Sequence, residues 1–193
     1  MSLLIIFSFI LGSVPFGVII AKVKGINLKK AGSGNIGATN VLRVMGKGSA
    51  ALTLLGDMLK GAAAVAIGSY LSVGPAYEGA MGISAILGHN FSLFLRFKGG
   101  KGVATSIGVL LIYSPKVAIL TLMIWLFVAL MTKYSSLGAI MSFGLLPVNV
   151  YLFDYSKAKL SVAAVIALLI LSRHIGNIER LIKGVERKIG ERS

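Results

Sequence analysis

Three polar stretches interrupt an otherwise apolar chain, and each carries residue types suited to holding phosphate. The first, GSGNIGATNVLR at 32–43, combines Gly32, Gly34 and Gly37 with Ser33, Asn35, Thr39, Asn40 and Arg43. Glycine lets successive backbone N–H groups turn toward one ligand and form an anion-binding nest. Arg43 adds a planar fork that can hold two phosphate oxygens. A flexible loop with one arginine would be the plainer reading. Such a loop would not interleave apolar Ile36, Ala38, Val41 and Leu42 so densely. The second stretch, GHNFSLFLRFKGGKGVATS at 88–106, places Gly99, Gly100 and Gly102 around Lys101, with Thr105 just beyond, at the opening of a predicted helix. A helix N-terminus, glycine N–H groups and an ammonium together suit a phosphate. The spacing is not that of a P-loop, because Gly102 follows Lys101. His89 stands at the end of an apolar segment, where a structural role and a chemical one both fit. In the third stretch, SRHIGNIERLIKGVERKIG at 172–190, His174, Asn177 and Arg180 recur at i, i+3 and i+6 and share one helix face.

What must position these groups is a membrane protein. The chain has 193 residues, of which 56% are hydrophobic and 13% charged, and a mean hydropathy of +0.88. A soluble domain carries about a quarter charged residues. The absence of cysteine excludes disulfides, zinc–thiolate sites and cysteine nucleophiles. Two histidines are too few for a histidine-built metal site, so no metal is predicted. The net charge of +14 reads as basic loops that set topology and face anionic headgroups. Membrane lipid, not nucleic acid, is therefore the expected partner. The first 22 residues lack a basic region ahead of their apolar run, which is too long for a signal peptide. They read as a retained first span.

Seven apolar segments stand out, at 3–21, 49–69, 79–95, 102–113, 115–131, 136–153 and 160–171. Several fall short of the roughly 20 residues a span needs. Short, glycine-interrupted segments mark irregular backbone that lines a protein-walled cavity at membrane depth. With loops on alternating sides, one side collects sixteen Lys and Arg, including Arg192 in the tail, and the other only Lys116, Lys157 and Lys159. The bias puts the C-terminus in the cytoplasm and, for seven spans, the N-terminus outside. All three polar stretches then lie on the cytoplasmic face, where they can build one site. Asp57 and Lys60 lie within the second segment at i,i+3, a spacing that allows self-neutralisation; they read as a structural pair.

Together the three stretches resemble the bacterial glycerol-3-phosphate acyltransferases that use acyl phosphate, the PlsY type. That family's pattern includes GSGN-x-GATN-x-x-R, GH-x-F-x-x-F-x-x-F-K-GGKGVAT and H-x-x-N-x-x-R-x-x-x-G-x-E, matched here by GSGNIGATNVLR, GHNFSLFLRFKGGKGVAT and HIGNIERLIKGVE. The resemblance runs over nearly the whole chain and includes GDMLKG after the first stretch. Two departures are NLKK where members often carry an acidic start, and Ser92 where proline is frequent. A weaker likeness, of His174 and Glu179 to the H-x4-D motif of other glycerolipid acyltransferases, has glutamate for aspartate and none of the accompanying motifs.

The resemblance implies an all-α, polytopic, seven-helix domain over 1–193, in the bacterial inner membrane with its active site facing the cytoplasm. It implies transfer of a fatty acyl group from acyl phosphate to the 1-hydroxyl of glycerol 3-phosphate, yielding lysophosphatidic acid and phosphate. No cofactor is needed, and the enzyme that makes acyl phosphate becomes a functional neighbour. Ser33, Arg43, His89 and Lys101 are the residues expected at the chemistry. Gly32, Gly34, Asn35, Thr39, Asn40, Gly99, Gly100, Gly102, Thr105, His174 and Asn177 are expected to bind substrate. Glu186, Arg180, Asp57 and Lys60 are expected to support them, Glu186 by pairing with a basic residue. With no cysteine and an already activated donor, direct attack by the substrate hydroxyl is expected, with Ser33 orienting rather than carrying the acyl group. The proton can leave to a substrate phosphate oxygen or to His89. The competing reading is a small transporter of a phosphorylated anion, which would want its site near midplane between related halves.

Overall fold

The computed structural model describes residues 1–191; Arg192 lies outside the described residues. Eleven α-helices follow one another with no strand among those residues. They are α1 (Ser2–Ser13), α2 (Phe16–Val23), α3 (Ala38–Met45), α4 (Lys47–Tyr70), α5 (Pro75–Asn90), α6 (Val103–Tyr113), α7 (Pro115–Thr132), α8 (Ser135–Gly144), α9 (Leu146–Phe153), α10 (Lys157–Arg173) and α11 (Ile175–Ile182).

Each expected apolar segment is helical, but the breaks have local causes. Pro15 interrupts the first, ending α1 and capping α2; it has no N–H to continue the ladder. The sixth divides at Leu145, where α8 and α9 meet at 44° just before Pro147. The third was expected to run to 95 but ends at Asn90. Beyond it, Arg96 and Phe97 take left-handed backbone, and the Phe97 N–H turns back to the Ser92 carbonyl at 2.8 Å. Ser92, the departure from the family's proline, is itself buried, with its Oγ donating to the Ser13 carbonyl at 2.5 Å.

Three helical stretches are long and apolar enough to cross a membrane: Ser2–Val23, Lys47–Tyr70 and Pro115–Thr132. Five are, if α8–α9 and α10–α11, the latter bent by 57°, each count as one. The remaining two, α5 at 16 residues and α6 at 11, are shorter than a simple span; eleven residues rise only about 16 Å. Small residues let these helices approach neighbours closely. A Cβ on Gly108 would lie 1.9 Å from the Met58 carbonyl oxygen, so α6 lies against α4 nearly backbone to backbone. α7 turns outward, exposing Ile119, Met123, Phe127 and Leu130. The main core gathers Val65, Ile86, Leu110, Phe143, Leu146 and Ile166. A smaller core of Ala21, Leu28, Ile36, Val41 and Ala50 anchors the first polar stretch.

Candidate active site

One cavity of about 770 Å³ is lined by all three polar stretches. Four helices begin at its wall: α3 at Ala38 and Thr39, α6 at Val103 and Ala104, α8 at Ser135 and Ser136, and α11 at Gly176 and Asn177. The first N–H groups of a helix have no intrahelical acceptor and sit at the positive end of its dipole. Arg43, Lys101, Arg173, Arg180 and Arg187 add five cations to the lining, against two carboxylates, Asp57 and Glu186. An apolar wall of Ala50, Ala51 and Leu54 from α4, Trp125 from α7 and Ala139 from α8 faces the same space. Such a cavity suits a small polyanion joined to an alkyl chain. Among the described residues no three His, Asp or Glu side chains converge to hold a metal.

The first stretch is half turn and half helix, not a loop throughout. Gly32 (φ +60°) and Gly34 (φ +71°) bend it, and the Gly34 N–H closes a turn on the Ala31 carbonyl at 3.0 Å. Asn40 reaches back from α3 and holds the turn. Its Oδ1 accepts from the Ser33 N–H at 2.8 Å, and its Nδ2 donates to the carbonyls of Asn35 (2.8 Å) and Ala31 (3.1 Å). Asn40 thus braces the turn with both polar ends engaged, and it also lines the cavity. The Asn35 Oδ1 is likewise taken, by the Gly37 N–H at 2.9 Å. Ser33, Thr39 and Arg43 line the cavity. The Thr39 and Ser135 hydroxyls meet at 3.1 Å. The Arg43 fork donates to the carbonyls of Glu191 (3.1 Å) and Lys188 (3.4 Å), and Arg187 donates to the Gly32 carbonyl at 3.0 Å, so the tail crosses the first stretch.

In the second stretch only Lys101, Gly102 and His89 of the expected ligands reach the cavity. The Gly99 and Gly100 N–H groups, expected as phosphate donors, bond instead to the carbonyls of Asn90 (3.2 Å) and His89 (3.0 Å). Their lack of side chains serves packing: a Cβ on Gly100 would lie 2.2 Å from the His89 Nε2. Thr105 is fully buried away from the cavity, its carbonyl pressed under Gly61 of α4. Gly34 also lies off the cavity wall. Lys101 and the start of α6 remain as the cavity-facing part of this stretch.

Lys101 donates to the Asn177 Oδ1. The Asn177 Nδ2 donates to the Glu186 Oε1 at 2.5 Å, Ser136 donates to the same oxygen at 2.7 Å, and the Arg180 Nε donates to Oε2 at 2.7 Å. Glu186 thus ties the third stretch to α8 and, through Asn177, to Lys101. Burial pushes the Glu186 carboxyl up, but the hydrogen bonds from Ser136, Asn177 and Arg180 outweigh it and hold it below the usual range. Burial pushes the Lys101 ammonium down to about 8; Glu186 opposes this, and Arg180 and Arg173 add to it. His174 is buried, with its Nδ1 2.8 Å from the Ile170 carbonyl. Glu179 is exposed, so the H-x4-E spacing builds no pair. In α4, Lys60 lies 2.8 Å from the Asp57 Oδ1, and the pair is not closed on itself: it also meets His89.

Several lining residues carried no signal as ligands. Arg173, whose Nε and Nη2 both donate to the Gly100 carbonyl at 3.3 and 3.2 Å, reads in sequence as one more topology-setting charge. Ser135, Ser136 and Trp125 lie outside the glycine-rich stretches, and only the way α7 and α8 fold back brings them to the site.

A family model described as glycerol-3-phosphate acyltransferase matches residues 2–184. A glycerol-3-phosphate acyltransferase of Sinorhizobium medicae (strain WSM419) is 47% identical over 97% of this chain and 92% of its own length. One from Rubrobacter xylanophilus is 41% identical over 99% and 96%. Among solved structures, a crystal structure of PlsY (YgiH), an integral membrane glycerol 3-phosphate acyltransferase, in its glycerol 3-phosphate form, superposes with a TM-score of 0.93. It is 40% identical and covers 97% of this chain and 94% of its own. The lysophosphatidic acid form of the same protein superposes at 0.91.

Proposed function

This chain belongs to the glycerol-3-phosphate acyltransferase family, and from that premise we propose that it moves a fatty acyl group from acyl phosphate to the 1-hydroxyl of glycerol 3-phosphate. The products are lysophosphatidic acid and inorganic phosphate. The observation that carries this reading is the meeting of four helix N-termini and five cationic side chains with an apolar wall in one cavity. Two phosphate groups and an alkyl chain would find complementary surfaces there. Ser33, Arg43, Lys101, His89, His174 and Asn177 are the polar side chains we assign to substrate, with Gly102 and the α3 and α6 N–H groups.

The hydroxyl oxygen attacks the acyl carbon, the carbon–oxygen bond to phosphate breaks, phosphate leaves with the electron pair, and the hydroxyl proton passes to a phosphate oxygen. Ser33 orients and does not carry the acyl group. Alignment supplies roughly 7–11 kcal/mol of the barrier, and the preorganised donors stabilise the charge that develops on the carbonyl and leaving oxygens. The sixteen-to-three distribution of Lys and Arg supports seven membrane crossings, with α5 and α6 as short ones, the N-terminus outside, and the site at the cytoplasmic face of the bacterial inner membrane. There it would draw on the enzyme that produces acyl phosphate.

The test is purified protein with acyl phosphate and labelled glycerol 3-phosphate. Lysophosphatidic acid should form with intersecting initial-rate lines. Parallel lines together with an acylated Ser33, trapped from acyl phosphate alone, would replace direct attack by a covalent route. No product from acyl phosphate would remove the donor assignment.

A further inference from the structure

Both histidines of the cavity are buried, and each has one ring nitrogen held by the protein. The two holds are of opposite kind. The His174 Nδ1 faces the Ile170 carbonyl at 2.8 Å. A carbonyl only accepts, so this nitrogen carries the proton and donates. The His89 Nδ1 faces the Lys60 Nζ at 2.9 Å. Lys60 has three near neighbours: the Val14 carbonyl at 2.7 Å, the Asp57 Oδ1 at 2.8 Å and this nitrogen. An ammonium has three protons and no lone pair. The Val14 oxygen is free to accept because Pro15, breaking the first span, starts a new helical ladder from its own carbonyl.

The charge on Lys60 follows from its surroundings. The Asp57 carboxylate is buried, and its nearest cationic group is this ammonium, with the His89 Nδ1 farther away at 3.5 Å. A neutral Lys60 would leave that buried carboxylate without its closest partner, and an unpaired buried charge is strongly disfavoured. The Phe16 ring, 6.0 Å from Nζ, presents a face that also favours a cation. Lys60 is then an ammonium that hydrogen-bonds the Val14 carbonyl and pairs ionically with Asp57, and with no lone pair of its own it can only donate to the His89 Nδ1. The ring proton must sit on Nε2.

We infer that the Asp57–Lys60 pair and the Ile170 carbonyl fix the two cavity histidines in opposite tautomers, His89 protonated at Nε2 and His174 at Nδ1 with a lone pair left on its Nε2. Lys60 and Asp57 are positioning residues, acting through His89. Resting on the acyl-transfer reading, this makes His89 a part of the cavity wall that keeps its own proton. His174 becomes the acceptor for a substrate hydroxyl or a protonated phosphate. A donor at Nε2 cannot take up the hydroxyl proton. The Nε2 edge of His89 is seated against Gly100, where a Cβ would lie 2.2 Å from this same nitrogen.

The test is nitrogen-15 NMR of the full chain labelled at histidine, in lipid nanodiscs near pH 7, with a His174→Asn sample to assign the two rings. One ring should be protonated at Nε2 and the other at Nδ1, with His89 the former. Two rings of the same tautomer, or a His89 imidazolium, would overturn the inference. The second arm is the Asp57→Asn/Lys60→Met double variant, which removes both charges and leaves neither unpaired. His89 should then lose its single tautomer, and kcat should fall about tenfold or more while the KM for glycerol 3-phosphate stays near wild type. A double variant with the wild-type spectrum and kcat would refute the role of the pair; if it does not fold, the wild-type spectrum still decides. If the protein transferred no acyl group at all, the acyl-transfer reading would fall while the spectrum still read the tautomers.

Discussion

The GSGN turn and the GGKG turn are both rich in glycine and both reach the same cavity, yet they use glycine for different ends. In the first, Gly32 and Gly34 take positive φ, and the turn they make is held from α3 by Asn40. In the second, Gly99 and Gly100 have ordinary backbone and are glycine because His89 lies against them. One pair supplies a conformation, the other supplies space. Composition alone makes both into anion nests. In fact the Gly99 and Gly100 N–H groups close the backbone onto Asn90 and His89, and the cavity-facing groups of that stretch are Lys101 and the start of α6.

The sharpest way to break this contrast is Gly100→Ala. The backbone tolerates alanine, but its Cβ would sit 2.2 Å from the His89 Nε2. The imidazole must move or the turn must open, and either displaces Lys101 next door. Misplacement of about 1 Å is enough to cost about a hundredfold in rate, so kcat/KM should fall by at least that much. A variant within a few-fold of wild type in steady-state assays would show that the close seat of His89 against Gly100 does not matter.

Lys101 comes next. Lys101→Met removes a charge-assisted contact of about 1.5–3 kcal/mol, roughly ten- to a hundredfold in kcat/KM. The lysine also predicts two opposite pH trends. Its folded pKa of about 8 lies below the ordinary lysine value of 10.5. Above about pH 8 the folded protein loses the ammonium, and the KM for the phosphate substrates should rise; Lys101→Met should flatten that rise. Stability should move the other way. Between about 8 and 10.5 the unfolded chain binds more protons at this site than the folded one, so this contribution to stability grows with pH across that window. Initial rates and chemical denaturation followed in parallel from pH 7 to 10 would reveal the crossing.

The helical, membrane-embedded class was legible from hydropathy, and the meeting of three stretches from the asymmetry of Lys and Arg. Both are properties summed over many residues, which single contacts do not overturn. Ser33, Arg43, Lys101, His89, His174 and Asn177 were legible because polar groups among glycines in an apolar chain are conspicuous. What stayed hidden depends on which way one side chain turns. Nothing in GATN tells that Asn40 folds back onto its own turn, and nothing in GVATS tells that Thr105 faces α4. Arg173 looks like every other basic residue at the end of a span until its guanidinium is seen on the Gly100 carbonyl. Asp57 and Lys60 could be paired from i,i+3 spacing, but their link to His89 joins positions 29 residues apart and needs the packing of α4 against α5.

The mildest prediction completes the contrast from the other side. Gly34 does not line the cavity, and a Cβ there would meet only the Lys29 carbonyl oxygen, at 3.1 Å. What alanine cannot easily adopt is the φ of +71°, a left-handed conformation costing roughly 1–2 kcal/mol for most residues. Gly34→Ala should therefore lower stability by about that amount in denaturant unfolding and leave kcat within a few-fold of wild type, since the cavity wall keeps its groups. Asparagine tolerates left-handed backbone better than alanine, so Gly34→Asn should be the milder change of the two. At Gly100 the order should reverse, because there the obstacle is volume beside the imidazole and asparagine is larger than alanine. If alanine were milder than asparagine at both positions, the first turn too would need glycine for space, and its positive φ would not be what selects the residue.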